Sequence, residues 1–186
     1  MAYYLFPPDD KPAKIAPSLS LGTGPEPNNP TIVPLATLRR FQYTFLIRHP
    51  RRSVPSYYRC TVPPLDAVTG FPYYMPNEAG YRELRRLFDY LISEGVIDKN
   101  NVVVLDADDM LDNPEAAIRM YCEGVGIEYS PKMLQWSQED TEHAVKVFEK
   151  WKGFHEDALH SSSLKPRTHA QVSLLKFHLV ATPFFL

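Results

Sequence analysis

The chain has 186 residues with 20 basic and 22 acidic side chains, a formal charge of −2. That balance excludes a protein held on nucleic acid or anionic membrane by bulk charge, and the length sets a prior of one domain with a sizeable core. Two cysteines, Cys60 and Cys122, are too few for a disulfide scaffold and fit a reducing, cytoplasmic setting.

Proline punctuates the first part of the chain. Eight of the 18 prolines fall before residue 35; each fixes φ and removes a donor, so residues 1–37 read as a long loop or extended arm. MAYYLF at the N-terminus is apolar and aromatic enough to expect burial. It is not a basic-then-apolar leader, so secretion is not expected, and no apolar run reaches the roughly 18 residues of a spanning helix.

From residue 38 the texture changes. FQYTFLI (41–47) predicts a buried strand, and NVVVL (101–105) a second. Between them, residues 77–95 place Leu84, Leu87, Phe88, Leu91 and Ile92 on one helical stripe, with Asn77 as N-cap and Gly95 as the C′ stop. Asp112-Asn113-Pro114-Glu115 reads as a cap, proline at N1 and an acidic first turn, opening a helix to about Gly124. Residues 131–136 and 139–152 predict two more helices, the latter carrying Ala144, Val147, Phe148 and Trp151 on a common face. Strand, helix, strand, helix is the pattern of a parallel α/β layer.

The segment richest in chemistry is TFLIRHPRRSVPSYYRC (44–60). A buried strand ends at Ile47 and Arg48 follows, where parallel sheets bind ligands. The arginine fork suits phosphate or sulfate. A helix beginning at Pro50 would carry Pro55 in its interior at about 3 kcal/mol, so the sequence predicts Ser53 as N-cap and Ser56 in the first turn, beside free backbone donors. Arg48 and Ser56 would then converge on one phosphate; the alternative is an ion-paired surface arginine and an ordinary first-turn serine. Arg39, Arg40, Arg51, Arg52 and Arg59 would raise the local potential, or form a solvated face.

This segment resembles the 3′-phosphate-binding motif of sulfotransferases that use 3′-phosphoadenosine 5′-phosphosulfate (PAPS): an apolar strand, Arg, a polar residue, Pro, then a Ser-Tyr pair, with Arg and Ser eight positions apart (56 − 48). VVVLDADDMLDNPEAAIRMYCEGVGI resembles the family's downstream strand, acidic turn, Asn-Pro and helix, ending in Gly126-Ile127. The block 38–170 is similar to the sulfotransferase-like P-loop proteins common in fungi, often found near secondary-metabolite genes. The resemblance implies a partial P-loop NTPase-like parallel sheet with flanking helices, a proline-rich arm over 1–37 and a divergent apolar tail over 171–186. It also implies PAPS as cofactor, Arg48 and Ser56 as its binding residues, and a small hydroxylated acceptor.

The departures are specific. Residues 1–37 hold no Gly-rich turn between a strand and a helix, and no Lys-Ser or Lys-Thr pair to grip the 5′-phosphosulfate. Lys11 and Lys14 match nothing, and no histidine precedes His49 to stand for the family's upstream catalytic one. Ala107 replaces the tyrosine that contacts adenine, and LLKFHLVATPFFL lacks the basic, Gly-rich cofactor loop. MAYYLFPP resembles a segment from the middle of longer relatives. The expectation is therefore a sulfotransferase-like chain without its front end, its catalytic residues unassigned. Alternatively, it is a non-catalytic binding remnant of that fold, its incomplete sheet exposing apolar surface along Phe45 and Val103.

The other candidates carry less. The six histidines show no i,i+4 pair, so no metal site is expected; His49 is read as hydrogen-bonded to backbone. Asp106, Asp108, Asp109 and Asp112 are read as structural or solvated carboxylates rather than a Mg²⁺ site, with Asp112 as a cap.

Overall fold

The computed structural model describes residues 2–7 and 26–167. Among them run, in order, a 3₁₀ turn at Ala2–Leu5, α1 (Leu35–Leu38), β1 (Thr44–Ile47), α2 (Pro50–Arg59), α3 (Asp66–Thr69), a 3₁₀ turn at Pro76–Ala79 and α4 (Tyr81–Ser93). There follow β2 (Val103–Asp106), α5 (Ala107–Asp112), α6 (Pro114–Val125), a 3₁₀ turn at Pro131–Leu134, α7 (Gln138–Val147), a 3₁₀ turn at Glu149–Trp151 and α8 (Glu156–Leu159). The chain divides into two compact units, one comprising described residues 2–7, 26–43 and 75–102, the other 44–74 and 103–167. Most of the expected arm (8–25, with Lys11 and Lys14), the tail 171–186, His169 and His178 lie outside the described residues. No helix among the described residues is long and apolar enough to cross a membrane.

In the first unit α4 supplies the core: Leu87, Tyr90 and Leu91 are buried, and Leu84, Phe88 and Ile92 half-buried, close to the expected stripe. The helix starts later than expected. Asn77 falls inside the 3₁₀ turn Pro76–Ala79, and Gly80, at φ 73°, breaks the chain before Tyr81; a left-handed residue cannot continue a right-handed helix. Its end is as expected, with Gly95 at φ 63° and Val96 N–H donating to Leu91 O at 2.8 Å, the six-to-one bond of a glycine stop. Of the MAYYLF segment expected to be buried, Phe6 is buried beneath the Arg86 guanidinium, 4.8 Å from the ring centroid, while Tyr4 is exposed. Residues 26–34 are irregular yet tightly bonded: Thr31 donates to Asn29 Oδ1 at 2.8 Å, and Glu26 accepts from Leu35 N at 2.9 Å, satisfying the start of α1.

The second unit holds a two-stranded parallel sheet with flanking helices, registering Thr44 with Val103 and Ile47 with Asp106. The α/β layer is therefore present, with strands shorter than expected. α6 begins as expected with Pro114 at N1, but its cap is Asn113, which accepts from Ala116 N at 3.4 Å, not Asp112. Two expected helices change form. Residues 131–136 give one 3₁₀ turn and then extend, Gln135 bridging antiparallel to Ser163 and Trp136 N donating to Ser162 O at 3.0 Å. The 139–152 helix stops at Val147, and Val147 and Phe148 are 56% and 38% exposed rather than core. The aromatic packing sits one turn on, where Phe71 meets Phe154 edge-on at 5.2 Å.

The expected exposure along Phe45 and Val103 is displaced. Phe45 is buried, and the exposed apolar residues of the strands are Leu46, Ile47 and Val104. Val103 is covered by α6, whose Gly124 lies so close that a methyl built there would run into the Val103 side chain. Gly124→Ala should therefore cost about 1–3 kcal/mol of stability. The same change should cost less in a Val103→Ala background, because the two positions share one space. Urea unfolding of the four proteins measures this, and equal losses in both backgrounds would contradict the contact.

Candidate functional site

Parallel pairing sets Ile47 beside Asp106, so Arg48 and the start of α5 emerge at the same, carboxyl end of the sheet. The turn into α2 is not the one the sequence predicts. α2 opens at Pro50 with His49 as its cap, leaving Pro55 in the interior. His49 accounts for the difference. Its Nδ1 accepts from Arg51 N at 3.1 Å, and its carbonyl accepts from Arg52 N at 2.9 Å and Ser53 N at 3.1 Å. These bonds satisfy the first turn and, with proline pre-set at N1, outweigh the one backbone bond Pro55 gives up. Ser53, expected as the cap, instead donates back to His49 O at 3.4 Å.

Ser56 consequently lies in the second turn of α2, away from the orphan amides. Residues four apart share a helix face, which sets Ser56 one turn below Arg52. Arg52 and Arg48 both reach Asp108 Oδ1, by their Nε atoms at 3.7 and 3.5 Å. Asp108 thus joins Arg48 to Arg52, while Ser56 is related to them only by its helical spacing from Arg52. The Tyr57 and Tyr58 rings pack on Tyr74 at 5.1 and 6.0 Å, fixing the rotation of the helix.

The residue that both arginines meet is one that sequence reasoning left among structural or solvated carboxylates. Asp108 is 14% exposed and also takes Arg167 Nη1 at 3.1 Å. Arg167 further donates through Nε to Asp112 Oδ1 at 2.7 Å and through Nη2 to Asp108 O at 2.9 Å, while its N–H bonds Leu111 O. Arg167 was not singled out from the sequence: nothing local marks it, and 59 residues separate it from Asp108. Asp106 ends β2 and caps α5, accepting from Asp108 N at 2.8 Å. Asp106, Asp108 and Asp112 thus tie α5 to its neighbours, and no metal-ligating cluster occurs among the described residues.

Asp109 is the exception. Burial pushes its carboxyl above the ordinary range, with the charges of Asp106, Asp112 and Asp108 adding to the effect and Arg167 opposing it. Of the other basic residues, Arg39 belongs to the first unit, where Nη2 donates to Glu94 O at 2.7 Å. Cys60 and Cys122 are free and buried; burial raises the Cys60 thiol above its usual pKa, with Arg59 opposing, so it is no activated nucleophile. A groove of about 500 Å³ lined by Leu134, Gln135, Trp136 and residues 162–165 involves none of the arginine cluster. No family model matches the chain, and no match was found among the curated proteins or the solved structures.

Two outcomes follow from this geometry. Arg167→Ala, which removes charge-assisted bonds to two carboxylates, should cost about 1.5–3 kcal/mol. Arg52→Ala, whose side chain is half exposed, should cost under about 1 kcal/mol; chemical denaturation ranks them, and the reverse order would contradict the assignment. For Asp109 the folded-state pKa lies above the unfolded one. Its ionised form therefore opposes folding at neutral pH, and that opposition fades as pH falls through the raised value. Asp109→Asn should stabilise the protein at pH 7, with the advantage shrinking in acid; melting curves across pH check the sign.

Proposed function

We propose that this chain is a sulfotransferase-like α/β protein that grips the 3′-phosphate of PAPS, or of its product adenosine 3′,5′-bisphosphate, with Arg48 and Ser56. One observation carries the reading. Arg48 stands directly past the carboxyl end of β1, beside parallel β2, and α2 follows with Arg52 and Ser56 on one face. Ligands of parallel sheets lie at that end, and a planar fork beside a second guanidinium suits a phosphate monoester. The likeness of residues 44–60 and 102–127 to the family's motifs supplies the donor's identity; a small hydroxylated acceptor, cytoplasmic residence and a place in secondary metabolism rest on the same likeness.

Sulfuryl transfer needs charge stabilisation on the 5′-phosphosulfate as well, and losing one preorganised donor typically costs 10²–10³-fold. Arg48 and Ser56 would answer only for the 3′-phosphate, so the proposal for these residues is donor binding. A second reading has its own support: Asp108 already pairs with Arg48 and Arg52, as it would in a non-catalytic remnant where the arginines only hold the fold.

Calorimetric titration with adenosine 3′,5′-bisphosphate separates the two. Under the first reading, Arg48→Ala weakens binding roughly 10- to 150-fold, the equivalent of about 1.5–3 kcal/mol. Arg48→Lys recovers part, because a point charge cannot reproduce the fork, and Ser56→Ala costs about 1 kcal/mol. A parent chain that binds no nucleotide would leave the structural reading.

A further inference from the structure

We infer that Asp108 is an internal competitor for the Arg48–Arg52 pair, so that the site admits dianionic phosphomonoesters, which can displace it, and rejects monoanions such as sulfate esters and phosphodiesters. This rests on the reading of Arg48 as a phosphate-gripping residue. The distances show which contacts would yield. Charge-assisted N–H···O bonds lie near 2.7–2.9 Å; Arg48 Nε and Arg52 Nε stand 3.5 and 3.7 Å from Asp108 Oδ1, close enough to be neutralised by it but longer than a full bond. Arg167 holds the same carboxylate at 3.1 Å and its carbonyl at 2.9 Å. An anion taking Arg48 and Arg52 therefore leaves Asp108 paired on Arg167 rather than buried alone, which would otherwise carry a heavy penalty.

The charge balance sets the selectivity. The three guanidiniums, Arg48, Arg52 and Arg167, face Asp108 and Asp112 directly. Asp106 and Asp109 stand near enough for the carboxylates to act on one another. An incoming anion meets a carboxylate already engaged with the pair. A ligand that displaces it must offer Arg48 and Arg52 more than one charge, and a phosphomonoester brings two charges and three terminal oxygens. In this scheme Arg167 is a positioning residue: it keeps part of Asp108's charge engaged, and without it the carboxylate would settle fully on Arg48 and Arg52.

The test measures methyl phosphate, methyl sulfate and adenosine 3′,5′-bisphosphate binding at pH 8 in low salt. Asp108→Asn should bind methyl phosphate at least about 10-fold more tightly than the parent and lose most of the preference over methyl sulfate; Asp108→Glu, which keeps the competitor, should do neither. Arg167→Ala should weaken methyl phosphate binding in the parent and have little effect in the Asp108→Asn background, a dependence a purely structural role would not show. Asp108→Ser replaces Asp108→Asn if the latter gives no cooperative melt, and the Arg167→Ala result in the parent stands independently of both. Nucleotide binding that needs Arg48 but is no tighter in Asp108→Asn would overturn this inference and leave the functional reading intact. Methyl phosphate binding enhanced in Asp108→Asn, with the nucleotide bound no more tightly than methyl phosphate, would overturn the nucleotide reading and keep the competitor. Absence of binding by parent and neutral variants alike would overturn both.

Discussion

One carboxylate organises the second unit. Asp108 receives guanidinium groups from the end of β1, the first turn of α2 and residue 167, segments far apart in sequence. A half-hidden anion so placed has two consequences. It draws Arg48 and Arg52 to the same side of the helix, and it requires residues 161–167 to run past α5 so that Arg167 can arrive. The antiparallel bridge between Gln135 and Ser163 and the Leu164 N to Leu134 O bond guide that segment into place. Isolated, the longer ion pairs would contribute little; joined through Arg167 they form a network whose members depend on one another.

The sequence was informative where forces are local. Apolar periodicity located α4, β-branched and aromatic runs located both strands, Gly95 ended its helix as a left-handed residue must, and proline at N1 opened α6. It misled where two local signals competed. Pro55 argued for a late start to α2, but His49 could cap an earlier one with both ring and carbonyl, and the bonds it satisfies decided the matter. The stretch 131–136 has a helical composition yet finds a strand partner 28 positions on, Gln135 against Ser163; a pairing of that range leaves no trace in periodicity.

The candidate site was half legible. Arg48 and Ser56 stand out through their spacing, because a strand end and the following helix are neighbours in the chain. The role of Asp108 does not stand out, since an aspartate after a strand is equally suited to capping, solvation or ion pairing. Only the arrival of Arg167 from 59 residues away distinguishes these. The strands carry a similar lesson. Alternation puts Val103 and Val104 on opposite faces, but an unbroken apolar run does not say which face is covered; the approach of Gly124 covers the first and leaves the second 47% exposed.

His49 gives the site a further property through its tautomer. While Nδ1 accepts from the Arg51 amide, a neutral ring must carry its proton on Nε2. The imidazole can then present only a donor to anything resting against its other edge. A second proton could enter the ring only at Nδ1, and so only by releasing the Arg51 amide and loosening the first turn of α2. The same bond that starts the helix thus decides which kind of hydrogen-bonding partner the free edge of the imidazole can meet.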